Sequence, residues 1–120
     1  MSRKLKSSRK KQPLSREALA VIATRFKAMS DPTRLELLQI LMEGERSVQE
    51  LCEHTRMSTA NISKHLSILA DQGIVSKRKD GLYSLYSISD PTVFELCDCV
   101  CRSIAKQYKK VQKEFLNLGS

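Results

Sequence analysis

Apolar residues recur at three- and four-residue intervals through most of this chain, and the places where that rhythm breaks predict its elements. Ser15 is a suitable cap for a first helix, whose apolar stripe is Leu19, Ile22, Ala23, Phe26 and Met29 and which ends near Ser30. Asp31-Pro32 opens a second helix, with the carboxylate as cap and proline at the first position, where its missing N–H costs nothing. Leu35, Leu38, Ile40, Leu41 and Met42 are its expected buried face, and Gly44 its stop. Ser47-Val48-Gln49-Glu50 reads as a capping box that starts a short third helix through Leu51 and His54. After the turn Thr55-Arg56-Met57, Ser58 caps a fourth helix with Ile62, Leu66 and Leu69 on one narrow face and Gly73 as a left-handed stop.

The rhythm then changes. Ile74 to Lys79 and Leu82 to Ile88 are β-branched and aromatic runs on either side of Asp80-Gly81, a strong signal for a two-residue hairpin, with Lys77, Arg78 and Lys79 expected at its tip. Asp90-Pro91 repeats the Asp31-Pro32 start and opens a long last helix. Its stripe of Val93, Leu96, Cys97, Val100, Ile104, Tyr108, Val111 and Phe115 runs for about six turns. A small domain cannot cover so long a stripe alone, so the first and last helices are expected to pair with a second copy. The fold class is α+β, mostly α: helices three and four form a helix-turn-helix, a two-stranded hairpin follows as a wing, and long terminal helices serve dimerisation. Residues 1–13 are expected to be a mobile basic arm and residues 14–120 the folded domain.

Charge sharpens this picture. The formal net charge is +8 over 120 residues. Arg3, Lys4, Lys6, Arg9, Lys10 and Lys11 stand in the arm with no acid, leaving the remainder at about +2. Residues 31–54 hold six carboxylates against Arg34 and Arg46, whereas residues 56–79 hold Arg56, Lys64, Lys77, Arg78 and Lys79 against Asp71. The positive block therefore coincides with helix four and the hairpin, as a polyanion-binding surface requires. A charged edge strand guarding against aggregation is the alternative for the hairpin cations.

On helix four, Ala60, Lys64 and Ser67 point away from the apolar face and are flanked by Asn61 and Ser63. This surface is short and polar, carries one cation and has no carboxylate before Asp71, so it can enter a major groove without repelling phosphate. Ala60, Asn61, Ser63, Lys64 and Ser67 are the candidates to face base edges, with the Asn61 amide suited to adenine. Ser58 and Thr59 at the helix N-terminus, and Lys77, Arg78 and Lys79 on the wing, are the candidates for phosphate. Double-stranded operator DNA is the expected partner.

No apolar run approaches the roughly 18 residues that cross a bilayer, and no secretory pattern follows the N-terminal cations, so a cytoplasmic location is expected. Cys52, Cys97, Cys99 and Cys101 are then read as thiols. An enzyme with a cysteine nucleophile needs a nearby base; His54 and His65 lie far in sequence from Cys97, Cys99 and Cys101, and His54, two residues after Cys52, lies on a different helical face from it.

Several segments together are similar to the ArsR/SmtB family of winged-helix transcriptional repressors: Ala28 to Leu35, Glu50-Leu51, Ser63-Lys64-His65-Leu66 and Gly73-Ile74-Val75, in this order of elements and over about residues 18–100. The resemblance implies a homodimer on the first and last helices that binds an inverted repeat and answers to an inducer. One family site is a cysteine-rich run at helix three; here that stretch is Ser47-Val48-Gln49-Glu50-Leu51-Cys52, with Cys52 alone at a ligand position. A second uses Asp-x-His and His-x-x-Glu on the last helix; here Asp90-Pro91-Thr92 lacks the histidine and none follows His65. Cys97 and Cys101 remain, one turn apart, able to offer two thiolates to a soft metal or metalloid ion such as arsenite, cadmium or zinc, with a further ligand from elsewhere. Thiol-redox sensing is a related reading. In the other reading these cysteines are small hydrophobes in the stripe and the protein binds DNA without a ligand.

Overall fold

The structure, a computed structural model, describes residues 12–119. Nearly all of the basic arm therefore lies outside the described residues. Four helices and a small sheet precede the last helix: α1 (Arg16–Met29), α2 (Pro32–Met42), β1 (Arg46–Ser47), α3 (Val48–Thr55), α4 (Thr59–Asp71), β2 (Val75–Asp80), β3 (Tyr83–Ile88) and α5 (Thr92–Gly119).

Local chemistry sets these boundaries. Ser15 Oγ accepts the Ala18 N–H at 3.1 Å, and Asp31 Oδ1 accepts the Thr33 and Arg34 N–H groups at 2.8 and 3.2 Å. At the end of α4, Gly73 N–H donates to the Ala70 carbonyl at 2.9 Å and Ile74 N–H to that of Leu69 at 3.1 Å. This is a Schellman closure, with Gly73 at φ +71° and Ile74 folding back beside Leu69. Asp90 caps α5 by accepting the N–H and hydroxyl of Thr92. Its carboxyl is held below the usual range, first by that hydroxyl, then by the amide.

Leu37, Leu38, Leu51, Ile62, Leu66, Leu69 and Ile74 are fully buried and form the centre of one core, which Ala28, Met29, Ile40, Leu41, Val75, Tyr86 and Val93 complete. Arg25 closes it at one side: its guanidinium donates to Asp90 Oδ2 at 2.8 Å and to the Gln72 carbonyl at 2.7 Å, tying α1 to the end of α4 and the start of α5.

Four expectations need correction. The sheet has three strands in the order β1-β3-β2, because Arg46 and Ser47 pair with Tyr86 and Leu85 ahead of α3. The hairpin turn lies one residue later than Asp80-Gly81: Asp80 pairs with Tyr83, and the loop is Gly81-Leu82. Gly81 carries φ +64° at the first loop position, where a primed turn favours glycine. Lys77, Arg78 and Lys79 consequently stand in the ladder opposite Tyr86, Leu85 and Ser84, not at the tip. On α2 the buried face is Leu37, Leu38, Ile40 and Leu41, while Leu35 and Met42 are exposed. Helical geometry explains this: Leu35 and Met42 lie roughly 120–140° around the axis from the centre of that face.

The stripes on α1 and α5 divide sharply. Met29 and Val93 are buried, yet Leu19, Ile22 and Phe26 on α1 and Val100, Ile104, Tyr108, Val111 and Phe115 on α5 are exposed. Val21, Ile22, Phe26 and Leu96 line a shallow apolar depression between the two helices.

Candidate nucleic-acid interface

Helices α3 and α4 are joined by a turn built from their own side chains. Ser47 Oγ accepts the Glu50 N–H at 3.1 Å and the Glu50 carboxylate accepts the Ser47 N–H at 2.8 Å, so the capping box is closed. At the far end Arg56 adopts φ 63°, its N–H donating to the Cys52 carbonyl at 2.7 Å, while Thr55 Oγ1 accepts the Met57 N–H at 3.2 Å. Ser58 Oγ then accepts the Asn61 N–H at 3.1 Å and starts α4. Leu51 from α3 and Ile62, Leu66 and Leu69 from α4 are all buried, which fixes how α4 is held.

His65 supplies the polar part of that seat. It is 8% exposed, and its Nδ1 lies 3.0 Å from Arg34 Nη1. Arginine has only donors, so Nδ1 accepts and the ring proton sits on Nε2. The same guanidinium donates from Nε to the Ala28 carbonyl at 2.6 Å and from Nη2 to that of Lys27 at 3.3 Å. One side chain on α2 thereby joins the end of α1 to the inner face of α4.

The outer face of α4 presents Ala60, Asn61, Lys64 and Ser67 to solvent, with Ser63 half-buried at its margin. No carboxylate interrupts it before Asp71. Asn61 Nδ2 rests 3.6 Å from Met57 Sδ, a weak contact that a better acceptor can displace. Ser58 is exposed at the cap. Thr59 is exposed too, but its hydroxyl lies 3.6 Å from Cys52 Sγ, turned toward α3.

The wing cations, adjacent in sequence, separate in space. Alternation along β2 puts Lys77 and Lys79 on the sheet face shared with Val75, Tyr86 and Ser84, the face that packs on the helices, and Arg78 on the opposite face. Arg78 is engaged: Nε and Nη2 donate to Glu45 Oε2 and Oε1 at 2.8 and 2.9 Å. That hydrogen bond holds the Glu45 carboxyl below its ordinary range and raises the Arg78 guanidinium above its own. An open groove of about 430 Å³ lies between the wing and the start of α4, lined by Gln49, Thr59, Ser63, Leu82, Tyr83 and Ser84 among others. Gln49, Leu82 and Tyr83 are interface candidates that sequence reasoning missed. Gln49 was read only as part of a capping box, and Leu82 and Tyr83 only as strand.

The cysteines do not converge on a ready-made metal centre. Among the described residues no group of three or more His, Cys, Asp or Glu side chains is placed to hold an ion. Cys97 is half-buried on α5, while Cys99 and Cys101 are exposed. Burial pushes the Cys97 thiol up, and the charges of Cys101 and Asp98 add to it. Cys101 lies one helical turn from Cys97 on α5. Cys99 points elsewhere and accepts a contact from Arg102 Nη2 at 3.6 Å. No helix among the described residues is long and apolar enough to cross a membrane.

A helix-turn-helix with a capped, outward polar second helix and an antiparallel wing defines a winged-helix DNA-binding regulator. Comparison with known proteins gives its family. Residues 31–77 match the model for the bacterial regulatory protein, arsR family. A cadmium resistance transcriptional regulatory protein CadC homolog of Staphylococcus aureus is 36% identical over 94 residues, 78% of each chain. A probable mercury resistance operon repressor of Streptomyces lividans is 49% identical over 71 residues, which are 59% of this chain and 57% of that one. The crystal structure of Mycobacterium tuberculosis Rv0081 superposes with a TM-score of 0.72 at 31% identity, covering 80% of this chain and 97% of that one. The chain belongs to the ArsR family of transcriptional regulators, and these relatives are regulators, not enzymes.

Proposed function

We propose that the protein is a homodimeric repressor that reads operator DNA with the outer face of α4 and is released by a soft metal, metalloid or thiol-reactive species acting at Cys97 and Cys101. The outer face of α4 carries the reading: it is polar, free of carboxylate before Asp71, and held by a seat of buried leucines and the Arg34–His65 contact. Ala60, Asn61, Ser63, Lys64 and Ser67 face base edges, Ser58 and Thr59 meet phosphate at the helix N-terminus, and Lys77 and Lys79 meet it from the wing. Of the wing cations expected to bind phosphate, Arg78 is the exception, because Glu45 already holds it.

The dimer follows from the exposed stripes on α1 and α5. A solution structure of a relative, the winged helix-turn-helix domain of Mb0332 from Mycobacterium bovis, is described as homodimeric; it superposes with a TM-score of 0.66 at 29% identity over 81% of this chain. Two copies place two recognition helices on half-sites about 34 Å apart, so a small rotation at α5 breaks register. Cys97 and Cys101 offer two soft donors per chain, and a second chain at the same helix supplies more; Cys52 and Cys99 stand outside that set. Such a regulator works beside the chromosome, in the cytoplasm.

Selection of duplexes from a random pool is expected to enrich an inverted repeat. Lys64→Ala is expected to weaken binding to the enriched duplex and to lower the slope of log K against log salt by up to about 1.8, about 0.9 for each copy in the dimer. Unchanged affinity and slope remove Lys64 from the surface that meets DNA. Mercuric, cadmium or arsenite ions should release the wild type from that duplex and leave Cys97→Ser bound; equal release of both proteins excludes Cys97 as the sensor.

A further inference from the structure

Arg78 stands in the most basic segment of the wing, yet its guanidinium spans both carboxylate oxygens of Glu45, 33 positions earlier in the chain. Two parallel N–H···O bonds fix direction as well as distance, which a lysine ammonium could not do. Both ends of the contact sit on elements that matter for the interface. Glu45 immediately precedes β1, whose Ser47 caps α3, the first helix of the helix-turn-helix. Arg78 lies midway along β2, on the sheet face opposite Lys77 and Lys79. The third strand is only two residues long, with Arg46 and Ser47 as its whole pairing to the hairpin. Such a short ladder is a weak hinge by itself, and the bidentate pair spans it from the outer edge strand to the lead-in of α3.

We propose that Glu45 and Arg78 are positioning residues: the pair sets the angle of the wing against the helix-turn-helix, so that Lys77 and Lys79 reach the phosphates flanking the groove occupied by α4, while Arg78 itself contacts no phosphate. The proposal rests on the DNA-binding reading given above. It separates two roles that adjacent cations would otherwise share. If Arg78 were a phosphate ligand temporarily held by Glu45, the carboxylate would compete with DNA, and removing it would strengthen binding. If Arg78 positions the wing, removing the carboxylate weakens binding even though a negative charge near DNA has been lost.

The test is a salt series with the full-length protein on a mixed-sequence duplex of about three helical turns, comparing wild type, Lys77→Ala, Glu45→Gln and the charge-neutral pair Glu45→Gln with Arg78→Gln. Glu45→Gln and the double variant are each expected to lose roughly three- to five-fold in affinity, with the double no worse than the single and with the salt slope of the double unchanged. Lys77→Ala, by contrast, should lower the slope by about 1.8, about 0.9 for each copy in the dimer. Tighter or unchanged binding by Glu45→Gln, or a slope for the double variant lower by about 1.8, overturns the proposal and makes Arg78 a phosphate ligand. Absence of duplex binding by the wild type would instead overturn the DNA-binding reading itself.

Discussion

Replacing Arg34 by methionine keeps the length and apolar stem of the side chain and removes three donors at once. In the structure those donors serve His65 Nδ1 at 3.0 Å, the Ala28 carbonyl at 2.6 Å and the Lys27 carbonyl at 3.3 Å. The third acceptor is at the surface and water can replace its partner. The first two belong to residues only 8% and 4% exposed, so each is left in a low-dielectric seat without a donor. At about 1–3 kcal/mol for each of the two orphaned buried acceptors, the loss should be about 2–6 kcal/mol. That is a large part of the roughly 5–15 kcal/mol available to a domain. The assay is urea unfolding at one fixed protomer concentration, since a dimer's stability depends on concentration. His65→Leu in the same background removes one of the orphans, so the double variant should be more stable than the sum of the two single losses by at least about 1 kcal/mol. A loss below about 0.5 kcal/mol for Arg34→Met, or strict additivity of the pair, would falsify the view that this guanidinium holds the inner face of α4.

Two further predictions concern the end of α4 and the last helix. Gly73→Ala places a Cβ at φ +71°, with no atom within 4 Å to clash, so its cost is backbone strain alone: about 1–2 kcal/mol by urea unfolding, with Gly73→Asn losing less. Equal losses for the two would contradict a strain origin. Cys97 has its thiol pushed above the ordinary value of 9.0 by burial and by Cys101 and Asp98. Folding therefore disfavours its thiolate: the contribution is fully present below 9.0 and is lost as pH rises through the folded value. The stability of the wild type relative to Cys97→Ser should fall as pH is raised above 9.0, and a flat difference would show that Cys97 is not held in an apolar seat.

What could be read from the sequence was what is encoded locally. Ser15, Asp31, Ser47 with Glu50, and Ser58 each cap a helix by a bond to a residue at most three positions on, so the chain announces those starts directly. The stop at Gly73 and the polar outer face of α4 belong to the same class. Partners distant in sequence could not be read. Leu35 and Leu37 are both leucines on one helix; helical geometry puts them on different sides, and packing on α4 and β3 decides which side is buried. A two-residue strand has no period to detect, so β1 was invisible, and with it the third strand of the sheet. The register of the hairpin depended on one glycine preferring the first loop position, a shift of one residue that lengthens the ladder as far as Asp80 and Tyr83 and keeps Lys77, Arg78 and Lys79 off the tip. The pairing of Arg78 with Glu45 and that of Arg25 with Asp90 and the Gln72 carbonyl are long-range, and the first occupies a cation that the sequence alone assigns to DNA.

The most direct test of the central claim, that the outer face of α4 is what meets DNA, is an amide-resonance titration of isotopically labelled protein with the selected duplex. The largest shifts should fall on Thr59 to Ser67, with a second, smaller set at Lys77 and Lys79. Shifts gathered instead on the basic outer side of the last helix, around Arg102, Lys106, Lys109 and Lys113, with α4 unmoved, would contradict it.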